Sequence, residues 1–377
     1  MRKIIRAAVL FIVMYPVYWS CAGTEVVEPL PLPESGDSIL VGVEYFSGWW
    51  EHSPNKWEYN DIDWRGAYPD RVPLLGEYNS QETMDNEIKA AADHGVDFFS
   101  ILYYYGGNVE TKEIEDVPYL NSGLTYFMNS ENSHLMKFMV EVTNHLPFSL
   151  LTVEDWDGFM DVCIEAMKHP SYLKIDGRAV LKIHGGDQFY LDMEKSVVQC
   201  ADILKGLRER TLDAGIGDLL ITVGTYGGGS ITSTHHFSRI REIDGTMQYM
   251  GVPDLPLISG DYPYDILLAE ARNVRDVRQS DVLNWVPYFP SGWNPRPWHD
   301  PRAKFKFPTR TQWKNGLEEL KSDLIENSNF GFPNRDGTVQ KAFTIYAWNE
   351  YGEGGMITPT VGEQYMKLEV IKEVFGK

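Results

Sequence analysis

The feature that most constrains the fold is the alternation of short apolar segments with longer amphipathic segments along almost the whole chain. Apolar runs rich in β-branched and aromatic residues predict strands, whereas an apolar period near 3.6 residues predicts helices. Strands are predicted at residues 39–46, 96–105, 137–143, 179–184, 219–225, 245–250, 282–289 and 342–348. Helices are predicted at residues 82–94, 124–133, 154–168, 197–212, 264–279, 311–327 and 363–375.

Eight strands of this kind predict an α/β fold, a single (β/α)8 TIM barrel over residues 39–377. An open, doubly wound parallel sheet is the alternative that the same alternation fits. Pro287 has no backbone N–H, so it predicts that the seventh strand ends there. In a barrel the carboxyl ends of the strands carry the active site, and candidate residues are therefore sought at those ends.

The first 20 residues predict an export signal. Lys3 and Arg6 precede an apolar run at residues 7–19, which is broken by Pro16 and too short to span a bilayer. The following sequence SCAG resembles a bacterial lipoprotein signal, in which Cys21 would be lipidated and become the new N-terminus. An ordinary secretory cleavage nearby is the alternative.

Residues 21–38 contain three prolines and predict a Pro-rich linker between the signal and the barrel. We expect an exported protein of the bacterial periplasm, outer membrane or cell surface, which contacts the membrane only through an N-terminal lipid anchor. Cys163 and Cys200 fall within predicted helices as small apolar residues, and their spacing predicts no zinc site. We expect no metal and no cofactor.

The charge balance excludes one class of partner. With 34 basic and 54 acidic residues, the net charge is −20, and no basic run follows residue 6. Nucleic-acid binding needs clustered cations, so it is not expected. Aromatic residues make up 13% of the chain, including 11 Trp, which is more than a core requires and is typical of a carbohydrate cleft. We expect an oligo- or polysaccharide ligand and a monomeric protein.

Residues 342–360, AFTIYAWNEYGEGGMITPT, place two carboxylates just after the last strand. On a continuing strand, Glu350 and Glu353 would face opposite sides. The three glycines within residues 352–355 let the backbone turn at little steric cost, so both carboxylates could face one cleft. Cleavage of a glycosidic bond uses one carboxyl as acid and another as base or nucleophile. We predict Glu350 and Glu353 as catalytic residues; the alternative is a solvated turn.

Polar and aromatic side chains follow nearly every predicted strand, as a sugar-binding cleft requires. Candidates for binding the substrate are Tyr45, Tyr104, Asn144, His184, Tyr249, Trp293, Arg296, Trp348 and Asn349. Each tyrosine could instead belong to the core, His184 could cap its strand, and Arg296 could be a structural ion-pair partner. No Gly-rich phosphate loop, metal-spaced histidine pair or nucleophile elbow competes with this set.

Several stretches resemble glycoside hydrolase family 99 and its family-99-like, WbsX-type relatives. Residues 348–354, WNEYGEG, are similar to the family's Trp-Asn-Glu-aromatic-x-Glu-Gly, with Pro359 where that segment has its proline. Residues 292–296, GWNPR, resemble the motif after the seventh strand. Residues 172–181 and 91–99 are similar to the segments around the fourth and second strands. The chain departs from the pattern at Gly352, which replaces a bulkier residue, and at Thr358, which replaces an acid.

The resemblance implies a TIM barrel without a metal and a retaining, endo-acting α-mannosidase. By this resemblance Glu350 is the base that deprotonates the sugar's own 2-hydroxyl, giving a 1,2-anhydro sugar, and Glu353 is the general acid and base. Two other interpretations remain: a glycan-binding surface lipoprotein that has lost turnover, and a polysaccharide-assembly transferase. The transferase is disfavoured because no nucleotide-sugar site is visible.

Overall fold

The computed structural model describes residues 38–107, 114–225 and 236–376. At its centre a parallel sheet forms a barrel of eight strands, numbered β1 to β8 in chain order. They are β1 (Leu40–Tyr45), β2 (Phe98–Tyr103), β3 (Lys137–Val142), β4 (Arg178–Ile183), β5 (Leu219–Val223), β6 (Gly245–Met247), β7 (Asn284–Val286 and Tyr288–Pro290) and β8 (Ala342–Tyr346). The predicted barrel is confirmed. The export signal, Cys21 and all of the linker except Ser38 lie outside the described residues.

Strand β7 closes the barrel in two parts. Asn284–Val286 pairs with β6, whereas Tyr288–Pro290 pairs with β8, which in turn pairs with β1. Between the two parts, the carbonyl of Pro287 accepts a hydrogen bond from the amide of Thr344 at 2.8 Å. The prediction that β7 ends at Pro287 is therefore wrong. Proline removes a donor from the ladder, but its carbonyl still accepts, so the strand continues toward the other neighbour.

The described helices surround the barrel. They are α1 (Gln81–Asp93), α2 (Pro118–Asn129), α3 (Val153–Met167), α4 (Gly186–Asp192), α5 (Val197–Asp213), α6 (Tyr264–Arg278), α7 (Arg310–Glu326) and α8 (Met366–Phe375). Helix α2 begins six residues before its predicted start, because a proline at the first helical position loses no hydrogen bond. The short helix α4 was not predicted. None of the helices in the described ranges is both long and apolar enough to cross a membrane.

Local sequence fixes where several helices begin. Thr152 and Thr309 each accept a hydrogen bond from the third helical amide, and the side chain at that position bonds back to the cap residue. These capping boxes satisfy amides that have no partner within the helix. Ser80 and Ser196 cap α1 and α5 in the simpler way.

Shorter strands and turns lie outside the eight barrel strands. Two-residue strands pair as Glu58–Tyr59 with Ile62–Asp63, Phe332–Pro333 with Val339–Gln340, and Asn349–Glu350 with Gly355–Met356. Strands Tyr105–Gly107 and Ile114–Asp116 pair with each other, and Lys174–Ile175 pairs with β4. Single 3₁₀ turns lie at Pro69–Arg71, Ser133–Leu135 and Arg296–Trp298.

The outer face of the strands buries mainly apolar side chains, whereas the inner face also buries charged ones. On β1, Tyr45 points outward and its hydroxyl donates to Glu87 of α1 at 2.7 Å, while Glu44 points into the barrel and meets Lys182 of β4 at 2.8 Å. Helices and strand exteriors form an apolar layer that includes Cys163 and Cys200, both buried free thiols. The barrel interior is instead partly charged, and this charged interior lies directly beneath the candidate site.

Candidate active site

A cavity of about 730 Å³ opens at the carboxyl ends of the strands. It is built from the strand ends and the segments after β1, β2, β3, β4, β6, β7 and β8, which is the end of a barrel where active sites lie. Its lining residues are Phe46, Lys56, Leu102, Tyr104, His145, His184, Tyr249, Met250, Val252, Trp293, Trp298, Arg302, Tyr346, Glu350 and Glu353.

A tight hairpin after β8 brings the two glutamates together. Asn349–Glu350 pairs with Gly355–Met356, so the chain reverses within the intervening four residues. Gly354 adopts a left-handed conformation, with φ of 74°, that favours glycine. As a result Glu350 and Glu353 both line the cavity, as the glycines at residues 352–355 predicted.

Glu350 is buried, with 5% of its surface exposed. One carboxyl oxygen accepts a hydrogen bond from the hydroxyl of Tyr249 at 3.2 Å, and the other has no hydrogen-bond partner among the described residues. Burial raises the pKa of Glu350 well above its usual value, and the nearby Glu353 raises it further. The oxygen without a partner is also buried from solvent, which adds to the burial that raises this pKa.

Glu353 is half-buried in the turn of the hairpin. The hydroxyl of Tyr346 donates to one of its carboxyl oxygens, and its backbone carbonyl accepts from the amide of Asn294 at 2.6 Å. Burial is the main cause that raises the pKa of Glu353, whereas the Tyr346 hydroxyl and Arg302 oppose the rise. Because the charge of Glu353 raises the pKa of Glu350, the two carboxyls lose their protons as an interacting pair. Such a pair keeps one proton to higher pH than a surface glutamate would.

Beneath the pair, a buried ionic network fixes His184. The ammonium of Lys182 lies 2.8 Å from Glu44 and 2.9 Å from Glu141, and the Nδ1 atom of His184 lies 2.5 Å from Glu141. Burial acts to raise the pKa of Glu141, but Lys182 and His184 outweigh it and hold that pKa well below its usual range. Burial lowers the pKa of His184. We therefore assign a neutral ring whose Nδ1–H donates to ionised Glu141, which fixes the ring plane at the cavity floor.

Four of the predicted binding residues line the cavity: Tyr104, His184, Tyr249 and Trp293. The ring of Tyr249 packs against His184 at 4.6 Å and against Tyr346 at 5.0 Å between centroids. Because the hydroxyl of Tyr249 donates to Glu350 and that of Tyr346 donates to Glu353, these ring contacts connect His184 with both glutamates. Of the predicted binding residues, Tyr249 is the one that contacts Glu350, His184 and Tyr346 together.

Two other candidates hold the barrel wall. Tyr45 points away from the cavity, toward Glu87. Asn144 accepts from the amide of Gly185 at 2.7 Å and donates to its carbonyl at 2.9 Å, which ties the loop after β3 to the loop after β4. Both side chains are buried, and neither is among the lining residues.

The remaining candidates lie outside the cavity lining. Trp348 is fully buried in the core, and Asn349 bonds both the amide and the carbonyl of Phe46. Arg296 forms an ion pair with Asp261, which is the structural alternative stated for it above. These three residues therefore position the loops around the cavity and do not line it.

Sequence reasoning missed several lining residues. Lys56 and Trp298 come from long loops without a periodic pattern, and Arg302 lies beyond the motif at residues 292–296. Tyr346 lies within the last strand, where alternation alone does not separate a core ring from a site residue. A single cation or ring in a long loop gives no sequence signal, because the loop's path is set by tertiary contacts.

The structure accounts for the glycine between the two glutamates. A Cβ atom on Gly352 would lie 2.2 Å from the indole of Trp298. The indole therefore occupies the space that a side chain at residue 352 would need. Trp298 lines the cavity next to both carboxyls, so an aromatic wall is supplied from the loop after β7.

Within the described ranges, no group of three or more His, Cys, Asp and Glu side chains is arranged to hold a metal ion. The carboxyls of the cavity are placed for proton transfer to and from a ligand, with hydroxyl donors on each.

Comparisons with known proteins give one clear likeness. No protein-family model matches the chain, and no curated protein matches it. Among solved structures, the chain is similar to the glycoside hydrolase family 99 endo-α-mannosidase of Bacteroides thetaiotaomicron, with a TM-score of 0.54 and 12% identity. The match covers 89% of this chain and 95% of that one. A second structure of the same enzyme, in complex with bis-tris-propane, has the same TM-score and identity over 97% of its length.

The chain therefore shares the barrel fold of that enzyme. At 12% identity the likeness concerns the fold alone. What the cavity does is therefore argued from its own groups.

Proposed function

We propose that this protein is an exported glycoside hydrolase that cleaves a glycan by a retaining, endo-α-mannosidase-like reaction. The observation that carries the proposal is the pair of buried Glu350 and half-buried Glu353. Their pKa values are both raised, and they share one aromatic-lined cavity at the carboxyl end of a barrel. The pair has the residue types and the environment that acid–base cleavage of a glycosidic bond needs.

In the first proposed step, ionised Glu350 takes the proton of the sugar's 2-hydroxyl. The 2-oxygen then forms a bond to the anomeric carbon as the bond to the leaving oxygen breaks. Glu353 gives its proton to that leaving oxygen. The product is a 1,2-anhydro sugar, with Glu350 protonated and Glu353 ionised.

In the second proposed step, Glu353 takes a proton from water as the water oxygen bonds to the anomeric carbon. The bond from the anomeric carbon to the 2-oxygen breaks, and Glu350 returns a proton to that oxygen. Two inversions at one carbon give net retention, and both glutamates regain their starting protonation. Hydroxyl donors from Tyr249 and Tyr346 stabilise each carboxyl in its ionised form.

Export, lipidation of Cys21 and a periplasmic or cell-surface location are part of the proposal. They rest on the residues before the barrel alone, since residues 1–37 lie outside the described part of the chain. Action within a glycan chain and a monomeric state are proposed with them.

Product release from α-mannans, mannosylated oligosaccharides and bacterial polysaccharides tests the proposal. Glu350→Gln and Glu353→Gln are compared with the parent and with Glu318→Gln, an exposed glutamate of α7. We expect turnover by the parent and the control, and a loss of about 10²-fold or more in each site variant. NMR of the first product should show the retained anomer.

A parent that binds a glycan of the panel but never cleaves it, with binding unchanged in both site variants, would contradict the hydrolase and favour the glycan-binding lipoprotein.

A further inference from the structure

The charges that line the cavity differ from those of the whole chain. Among the described residues that line it, the carboxylates are Glu350 and Glu353, and both have raised pKa values. Two cations, Lys56 and Arg302, line the same cavity. When the glutamate pair holds one proton, these lining groups carry one net positive charge, in a chain whose net charge is −20.

Lys56 forms no ion pair with any carboxylate of the described residues. Its side chain is half-buried, and no carboxylate of the described residues lies within the 4.0 Å that defines an ion pair. Arg302, by contrast, forms an ion pair with Asp300 at 2.7 Å. A half-buried ammonium loses part of its hydration, so a lysine kept in this position without a partner is placed to receive an anion.

Each cation lies beside an indole. The ammonium of Lys56 lies 5.7 Å from the ring centroid of Trp298, and the guanidinium of Arg302 lies 4.3 Å from that of Trp293. Both rings line the cavity. A ring beside a cation offers an apolar surface to a sugar face and a charge to a group at the sugar's edge.

The Lys56–Trp298 pair lies close to the two glutamates. The Trp298 indole packs on Gly352, midway between the two glutamates in the chain. The charge of Lys56 also acts on both carboxyls, where it opposes the effect of burial on their pKa values. A sugar stacked on Trp298 would therefore adjoin the bond to be cleaved.

We propose that the cavity binds a glycan with an anionic group, a carboxylate or a sulfate ester, which the ammonium of Lys56 binds while Trp298 stacks on the same sugar. This inference rests on the proposed function in taking the ligand to be a glycan. It adds the substrate class, which neither the fold nor the glutamate pair specifies.

The competing role for Lys56 is to tune the glutamates alone. In that case its removal would raise the pKa of both carboxyls and shift the pH profile equally for neutral and acidic glycans. The anion site instead requires that removing Lys56 affects acidic glycans far more than neutral ones.

The test measures binding to matched glycans in a Glu353→Gln background, which keeps the ligands intact. The pairs are oligogalacturonate with its methyl ester, and sulfated mannan oligosaccharides with the same oligosaccharides after desulfation. The first pair reports a carboxylate and the second a sulfate. Each is measured with native Lys56, Lys56→Gln, Lys56→Arg, and Lys205→Gln, which removes an exposed lysine of α5.

We expect tighter binding of the acidic member in at least one pair. Lys56→Gln should weaken that binding about tenfold or more and leave the neutral member within about twofold, because hydrogen bonds between charged groups are the stronger ones. Lys56→Arg should restore most of the preference, Lys205→Gln should leave it intact, and raising the salt concentration should reduce it.

Equal affinity for the acidic and neutral members of both pairs contradicts the anion site, as does an acidic preference that survives Lys56→Gln. Glutamate-dependent hydrolysis of neutral glycans without any charge preference would refute this inference and leave the proposed hydrolase standing. Binding of acidic glycans that depends on Lys56, with no cleavage by the parent, would refute the hydrolase and leave the anion site standing.

Discussion

At the scale of single residues, protonation in the site is controlled by short polar contacts in a buried setting. Burial raises the pKa of both Glu350 and Glu353, and each has a tyrosine hydroxyl that favours its ionised form. Tyr249 makes this contact with Glu350 and also packs on His184. Burial and the charge of Glu353 have the larger effects on Glu350, and the Tyr249 hydroxyl partly offsets them in favour of the ionised carboxyl.

Tyr249→Phe should raise the pKa of Glu350, because the ionised carboxyl loses its hydroxyl donor. Ionised Glu350 is the active form in the proposed reaction, so the acid limb of the kcat/KM profile should move to higher pH by about one unit. At a pH on the acid side of both limbs, kcat/KM of the variant should be about tenfold below that of the parent. The measurement is kcat/KM against pH on the substrate identified by product release.

Tyr126→Phe, which changes a tyrosine of α2 outside the lining residues, is the matched control and should keep the parent profile. An unshifted acid limb in Tyr249→Phe would contradict the role given to this hydroxyl.

At the scale of elements, the site depends on two loops that fit into each other. The hairpin after β8 carries both glutamates, and the 3₁₀ turn Arg296–Trp298 supplies the indole that packs on Gly352. The contact leaves no room for a side chain at residue 352. The hairpin and the turn after β7 therefore act as one packed unit.

Gly352→Ala should destabilise the protein by about 1–3 kcal/mol, because its new Cβ would overlap the Trp298 indole. In a Trp298→Ala background the same change should cost less than about 0.5 kcal/mol. Denaturant unfolding of the parent, both single variants and the double variant gives the coupling energy.

Gly206→Ala in α5 is the control, since a Cβ there meets nothing within 4 Å and alanine favours a helix. It should be neutral or stabilising. Additive costs for Gly352→Ala and Trp298→Ala would show that the two loops are not packed as described.

At the scale of the whole molecule, ionisable groups buried around the barrel link its stability to pH. Glu87 of α1 is 2% exposed, and burial raises its pKa from 4.5 to about 7. Between these two values the folded protein keeps a proton that the unfolded chain has lost. This group's contribution to stability therefore decreases as the pH rises from about 4.5 to 7.

Glu87→Gln should remove that decrease, since an amide oxygen can still accept from Tyr45 without ionising. Between pH 5 and 8, the free energy of unfolding of the variant, relative to that of the parent, should rise by about 2 kcal/mol. This is the size expected for a pKa shift from 4.5 to about 7. Thermal and denaturant unfolding over that pH range checks it. Glu82→Gln, an exposed position of the same helix, should follow the parent, and parallel curves for Glu87→Gln and parent would contradict the prediction.

The sequence by itself determined the barrel and the position of the glutamate pair. Strand and helix periodicity depends on neighbours within one segment, which is why most elements begin and end within a few residues of their predicted bounds. The pair was predictable because its glycines, strand and carboxylates are adjacent in the chain. At Pro287 local reasoning was wrong, since whether a strand continues depends on which partner accepts its remaining hydrogen bonds.

Only the tertiary structure decided which side chains share the cavity. Tyr45 and Tyr104 both lie at the carboxyl ends of predicted strands, yet Tyr45 packs outward on Glu87 and Tyr104 lines the cavity. Lys56, Trp298 and Lys182 gave no signal, because a single residue in a loop or a strand acquires its role from partners far along the chain. Periodicity records which face of an element is buried, whereas a site is made of groups from different elements that meet only when the barrel closes.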